Sequence, residues 1–272
     1  MALYLTEEDV EALLSVGDAL DAVEGSFRRQ AAGEIENRPR YRLGLDGGQL
    51  AVMAAVDLGL GVAGVKTYAA GPDGAKFVLV LFDAAAHDTL AVIEADVLGR
   101  LRTGAASGVA AKHLAAEGAR SLGVIGCGRQ AETQIAAVRA ALPDIEQTVV
   151  FCRDQTLREE FALRVGAEAG DTHQDAATQD VVVTITTSKD PVLRGEWLRP
   201  GALVCAAGAN FPTRRELDTA VLKRAAFVCC DSKENARLES GDLIEPVAQG
   251  VLDWLEVHEL SEVVAGEVAG RQ

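Results

Sequence analysis

Lys66, in Gly64-Val65-Lys66-Thr67-Tyr68, is a charged residue closing a strongly apolar, glycine-rich run. Partial burial makes such an amine either a cation that orients a carboxylate or a base of depressed pKa that exchanges protons. Arg102 stands in Leu101-Arg102-Thr103-Gly104-Ala105-Ala106-Ser107, at the expected start of an Ala-rich helix. There it can pair with a substrate carboxylate or a cofactor phosphate, while Thr103 caps the helix. Arg40, next to Pro39 in the basic stretch Arg38-Pro39-Arg40-Tyr41-Arg42, is a third candidate cation. For each of the three, an ordinary surface salt bridge is the plainer reading.

A second constellation runs from Ser121 to Ala131, where an apolar run ends in Gly126-Cys127-Gly128-Arg129-Gln130-Ala131 and a helical pattern follows to Leu142. Strand, glycine turn and helix in that order make a dinucleotide-binding unit, although Gly-rich βα turns also occur without a ligand. Gly126 permits the tight turn, Gly128 lets the backbone approach a pyrophosphate, and Ala131 keeps the helix near its strand. The N–H groups that open the helix, with Arg129 and Gln130 among them, are the candidate phosphate ligands. The next apolar run ends in Cys152-Arg153-Asp154. In this fold an acidic residue at the end of the second strand usually binds the ribose hydroxyls of NAD. Here that position is Cys152, and Arg153 beside it can pair with a 2′-phosphate. NADP(H) is therefore the favoured cofactor, and NAD(H), through Asp154, the other. Arg153 as a solvated loop residue is the bland alternative.

These residues need elements to hold them, and the totals say what is available. A chain of 272 residues has room for two domains of ordinary size. Hydrophobic residues make up 49% and aromatic residues only 4%, so Ala, Val and Leu must fill the core. With a net charge of −15, nucleic acid is excluded as a partner, because phosphate backbones demand clustered cations. The acidity is a statement about solubility. Cys127, Cys152, Cys205, Cys229 and Cys230 are odd in number and form no CxxC pair, so a reduced, cytoplasmic protein without a metal site is expected. Met1 to Asp18 carries acidic residues where a signal peptide would be basic. The longest apolar run, Leu50 to Val65, contains Asp57 and three glycines and falls short of a membrane span.

Thr6-Glu7-Glu8-Asp9 reads as a helix start, and Ser15 to Ala32 as a second helix ended by Gly33. Strands are expected at 50–56, 61–69, 77–82 and 90–94, with turns at Asp46-Gly47-Gly48, Gly71-Pro72-Asp73-Gly74 and 85–88. Helices follow at 96–101 and 103–117. Residues 1–117 thus form an α+β domain. From 118 to 272, strands at 122–125, 148–152, 181–186, 203–207 and 227–230 alternate with helical segments, the doubly wound parallel pattern of an α/β domain.

Taken together, these motifs resemble the ornithine cyclodeaminase/mu-crystallin family. The resemblance rests on Gly64-Val65-Lys66, Phe77–Phe82, Leu90–Glu94, Arg102-Thr103-Gly104-Ala105-Ala106-Ser107 and Gly126–Ala131. It continues through Gly208-Ala209-Asn210-Phe211-Pro212, Arg215-Glu216-Leu217-Asp218 and Glu239-Ser240-Gly241-Asp242-Leu243. It implies an α+β dimerisation and substrate domain followed by a Rossmann domain, a homodimer, and a small amino or imino acid as substrate. It also implies that Arg40, Lys66 and Arg102 grip the substrate carboxylate, with Lys66 closest to the reacting carbon. The nicotinamide is then expected at the carboxyl ends of the Rossmann strands, facing a cleft toward the first domain. Two departures stand out. Ornithine cyclodeaminases carry Asp where this chain has Asn210, and a neutral amide neither counters an ammonium nor acts as general base. Family members also continue beyond the point matching Gln272, with a strand and a helix that pack back on the first domain. Hydride transfer between NAD(P)(H) and the α-carbon of a small amino acid or imine is therefore the expected reaction, with Lys66 and Asn210 at its centre. Conversion of ornithine to proline and ammonia is one alternative, and non-catalytic binding in the manner of mu-crystallin the other.

Overall fold

The computed structural model describes residues 2–72 and 74–271 and divides into two compact units, Met1–Arg102 and Thr103–Gln272. The division falls inside one helix, whereas the sequence pattern changes near Gly118.

The first unit runs β1 (Leu3–Leu5), α1 (Glu7–Leu13), α2 (Val16–Ala31), β2 (Ile35–Asn37), β3 (Tyr41–Leu45), β4 (Gly48–Asp57), β5 (Val62–Gly71), β6 (Gly74–Asp83), β7 (Thr89–Glu94) and into α3 (Asp96–Leu114). Its seven strands lie in the order β1-β7-β6-β5-β4-β2, with β3 also paired to β4. Thr6 with Asp9, and Ser15 with Asp18, close capping boxes that start α1 and α2. Those bonds hold both aspartates below the usual carboxylate range. Gly33, at φ +74°, takes the left-handed turn that stops α2. The hairpin strands agree with their alternation in sequence. β1 and β2 were not foreseen, because three residues are too few to show a period. Of the expected turn at 71–74, Asp73 lies outside the described residues.

The helix carrying Arg102 differs from expectation. Residues 96–114 are one continuous helix, so Thr103 lies in its interior and caps nothing. The reason is Glu7, whose carboxylate accepts the N–H groups of Asp96 and Val97 at 2.7 and 2.9 Å. The capped start is therefore at Asp96, and nothing between it and Leu114 breaks the helix.

The second unit continues with β8 (Ser121–Ile125), α4 (Ala131–Ala141), β9 (Gln147–Phe151), α5 (Gln155–Val165), β10 (Glu168–Ala169), α6 (His173–Ala177) and β11 (Val181–Thr184). A 3-10 turn at Gly195–Trp197 precedes β12 (Leu203–Ala206), α7 (Thr219–Arg224), β13 (Val228–Cys230), α8 (Lys233–Glu239), α9 (Gly241–Ala248), β14 (Val257–Glu259) and α10 (Leu260–Val264). Five parallel strands lie in the order β10-β9-β8-β11-β12. This is the doubly wound arrangement. Alternate residues of the same strands feed two cores. Val124, Val150 and Val183 enter one; Ile125, Val149, Phe151 and Val182 enter the other. A sheet covered on both faces needs apolar residues at every position, which is why these strands read as continuous apolar runs. One strand departs from the expected row: β13 leaves the main sheet and pairs in parallel with β14. Another departure is the crossover from β11 to β12, which uses a loop and a 3-10 turn in place of a helix. The fold is thus α/β, an α+β unit followed by a Rossmann unit. Among the described residues, no helix is long and apolar enough to cross a membrane.

Candidate functional site

In the first unit, strand register places the cations. Tyr68 pairs with Ala51 and Phe77, Lys66 with Met53 and Leu79, and Leu79 with Ile93. Because side chains alternate, Lys66, Tyr68, Phe77, Leu79 and Ile93 share one face of the sheet. Ile93 and Leu79 pack there with Val97, Leu98 and Leu101 of α3. Arg102 follows Leu101 directly, so the packing of α3 decides where its guanidinium emerges. Arg40 precedes β3 and donates to the Tyr68 hydroxyl at 2.8 Å. Its guanidinium lies 5.9 Å from the Tyr68 ring centre.

Lys66 is held among these groups, its ammonium 5.8 Å from the centre of the Phe77 ring. Burial, then the charges of Arg102 and Arg40, push its pKa down to about 7. An ordinary lysine would be charged at every physiological pH; this one divides between ammonium and amine near neutrality. Arg102 itself is exposed and Arg40 half-buried. Three positive groups thus converge where an anion would relieve their mutual repulsion.

In the second unit, the glycine loop has the geometry its sequence implies. All of β8 is buried. Gly126, at φ +123°, donates its N–H to the Phe151 carbonyl at 2.8 Å. A Cβ on Gly126 would lie 2.3 Å from the Ile185 carbonyl oxygen, so no other residue fits. Gly128 is exposed, with open space where a Cβ would stand. Ala131 is fully buried under the new helix. Gln130, at the cap position of α4, makes no side-chain cap bond, and its Oε1 is buried without a hydrogen-bond partner. The Ala131 N–H is spent on the Gly128 carbonyl at 3.0 Å, and Gln130 does not cap the N–H groups that follow, where an acceptor such as a phosphate would fit. Arg129 beside them is exposed. Residues of this kind fit a dinucleotide. Gly104 of α3 comes close to this helix, for a Cβ on it would meet the Thr133 carbonyl oxygen at 2.3 Å. Thr103 is its neighbour in sequence.

At the end of β9, Asp154 is occupied. Its carboxylate caps α5, accepting the Leu157 N–H at 2.9 Å. Arg153 is exposed, and its charge reaches His173, whose pKa is lowered by burial first and by Arg153 second. Asn210, also exposed, lies in the loop after β12. Cys127 is a buried thiol pushed to higher pKa by its surroundings, no nucleophile. All five cysteines are free. The described residues contain no group of three or more His, Cys, Asp or Glu able to hold a metal ion.

Sequence reasoning assigned no role to Tyr68 and Phe77, which flank the cations, or to Glu216 and Asp242, which are buried at 0% and 4% exposure. The signal for the aromatic pair was register, which needs the hairpin to be known. Glu216 and Asp242 were present in quoted motifs, yet a carboxylate in sequence looks the same whether it meets water or buried amides.

Comparison with known proteins bears on the family and the fold. The model of the ornithine cyclodeaminase/mu-crystallin family matches residues 2–272. An alanine dehydrogenase of Archaeoglobus fulgidus is 36% identical over 284 residues, covering 99% of this chain and 86% of its own. The structure of an archaeal alanine dehydrogenase dimer with bound NAD superposes with a TM-score of 0.93 at 34% identity, covering 100% of this chain and 87% of that one. The Δ1-pyrroline-2-carboxylate reductase of Thermococcus litoralis, in complex with NADH and L-proline, gives 0.92 at 30% identity, covering 99% and 88%.

Proposed function

The chain belongs to the ornithine cyclodeaminase/mu-crystallin family, and we propose that it is an NAD(P)-dependent oxidoreductase acting at the α-carbon of a small amino acid or its imine. The observation that carries this reading is Lys66, held near pKa 7 between Arg40 and Arg102. A bound nicotinamide supplies or accepts the hydride. Arg40 and Arg102 hold the substrate carboxylate through charge-assisted hydrogen bonds, fixing the α-carbon. Positioning of this kind contributes several kcal/mol, roughly 7–11 at best. Lys66, in its ammonium form, hands a proton to the imine nitrogen, and as the amine it takes one back. Asn210 orients the substrate by hydrogen bonding. Being neutral, it supports hydride transfer over ornithine deamination.

Thr103, Gly126, Gly128, Arg129, Gln130 and Ala131 are the proposed dinucleotide ligands. NADP(H) is favoured over NAD(H): Asp154 is committed to its helix cap, which leaves Arg153 to meet a 2′-phosphate. A homodimer is proposed as well. The face of the first sheet opposite Lys66 carries Val52, Val65, Val78 and Val80, all only half-buried, with exposed Tyr41 and Leu43 beside them. An apolar sheet face of this kind suits a second copy. The free thiols favour a reducing, cytoplasmic setting.

The test is oxidation of NADPH and NADH with pyrroline-2-carboxylate, piperideine-2-carboxylate, or pyruvate plus ammonia. Turnover with at least one, faster with NADPH, is expected. Proline released from ornithine without net nicotinamide reduction would replace this reading with cyclodeamination. Cofactor binding without any turnover would leave a binding protein.

A further inference from the structure

Glu216 is a carboxylate with no solvent exposure, and the proposed chemistry makes no use of it. Its surroundings consist of donors. Oε1 accepts the Thr186 N–H at 2.6 Å; Oε2 accepts the Thr184 hydroxyl at 2.9 Å and the Gly208 N–H at 2.7 Å. Its own backbone is held too: its N–H and that of Leu217 donate to Asp242 Oδ1 at 2.8 Å each, while its carbonyl accepts from Val192 and Leu193. Asp242 is in turn brought there by Gly241, where a Cβ would lie 2.1 Å from the Arg214 carbonyl oxygen. Burying a carboxylate is costly unless donors satisfy it; burial raises the pKa of Glu216, and the bonds from Thr186, Gly208 and Thr184 oppose that rise.

The positions of the donors matter. Thr184 is the last residue of β11, and Thr186 lies in the loop that leaves it. Gly208 lies just past the end of β12, in the loop that carries Asn210 and returns to Glu216. One carboxylate therefore ties together the carboxyl ends of β11 and its neighbour, the edge strand β12, and closes the base of the 208–216 loop. A Cβ on Gly208 would stand 2.5 Å from Thr186 N and 2.6 Å from Glu216 Oε1, so the loops are in close contact. The same β11 loop carries Ile185, against which Gly126 turns. In open α/β sheets ligands lie at this edge.

We infer that Glu216 is a positioning residue for hydride transfer, fixing the loops 185–188 and 207–210 that would hold the nicotinamide and Asn210. The inference rests on the proposed dehydrogenase reading. Its bonds go to the strand ends and the 208–216 loop, and none goes to Gly126–Ala131 itself, so its loss affects reactivity ahead of nucleotide binding.

The experiment compares wild type with Glu216→Gln and Thr184→Val by kcat, KM, affinity for 2′,5′-ADP and AMP, and amide hydrogen exchange at Thr186 and Gly208. Gln keeps the shape but cannot accept every donor, and Thr184→Val removes one donor while leaving the carboxylate. The expected result for Glu216→Gln is a kcat lower by roughly 10- to 100-fold, the scale of a misplaced reacting group, with nucleotide-fragment affinity unchanged and exchange faster at both amides. Thr184→Val gives the same pattern, smaller. If the folded variants keep kcat within about twofold of wild type, or lose fragment affinity in step with kcat, Glu216 is merely structural and the inference is overturned. A wild type that binds no nicotinamide dinucleotide sinks the dehydrogenase reading itself, and this inference with it.

Discussion

The positive charge of Arg102, at the middle of α3, acts on Lys66 of β5 and, with burial and Arg40, holds the lysine near pKa 7. The dependence of rate on pH follows from that relationship. If the ammonium protonates the imine, kcat/KM for imine reduction falls as pH rises through about 7. Replacing Arg102 by Gln removes a repelling charge, so the inflection moves to higher pH. A pH–rate profile of both proteins checks it, and an unmoved inflection would contradict the coupling.

The same shift predicts a stability effect of definite sign. Between about 7 and the ordinary lysine value of 10.5, the unfolded chain binds a proton at Lys66 that the folded chain does not. Stability therefore rises with pH across that window from this group. Lys66→Met should abolish that contribution, flattening the pH dependence of urea midpoints in the alkaline range while the slope of the unfolding curve stays the same.

Arg40 is expected to act on substrate and not on cofactor. Arg40→Gln should raise KM for the imino acid by roughly 10- to 100-fold, the scale of a lost hydrogen bond to a charged group of about 1.5–3 kcal/mol. Affinity for NADPH, measured by fluorescence, should remain as in wild type. Part of any stability loss would come from the Tyr68 hydroxyl, which receives the guanidinium at 2.8 Å, and Tyr68→Phe separates that effect.

How much of this was legible in the chain itself depends on range. The glycine loop could be read directly, because a turn at φ +123° beside a neighbouring carbonyl leaves glycine no substitute. The hairpins and the apolar β8, β9 and β11 were equally plain, since period and burial are local signals. Thr103 misled because a Thr followed by Gly and Ala imitates a cap. The true cap comes from Glu7, some ninety positions away in sequence, and no local pattern announces it. β13 misled for a related reason: its apolar residues fit a fifth strand of the parallel row, but partner choice is a long-range property. Glu216 is the extreme case, a residue whose meaning lies wholly in three donors supplied by other segments.

Arg153 is the residue proposed to choose the nucleotide. Arg153→Ala should weaken NADPH binding by about tenfold or more, as expected when a charge-assisted contact to phosphate is removed, and leave NADH nearly unaffected. Equal losses for both nucleotides would mean that the 2′-phosphate is read elsewhere.

The central claim is that a hydride passes between the nicotinamide and the α-carbon of a small amino or imino acid held by Arg40, Lys66 and Arg102. Reduction of pyrroline-2-carboxylate, or of pyruvate with ammonia, by nicotinamide dinucleotide deuterated at C4 tests it most directly. The account predicts product carrying deuterium at its α-carbon in wild type, with that transfer lost in Lys66→Met. Product whose α-hydrogen comes from water, or the absence of any reduced product with either nucleotide, would contradict it.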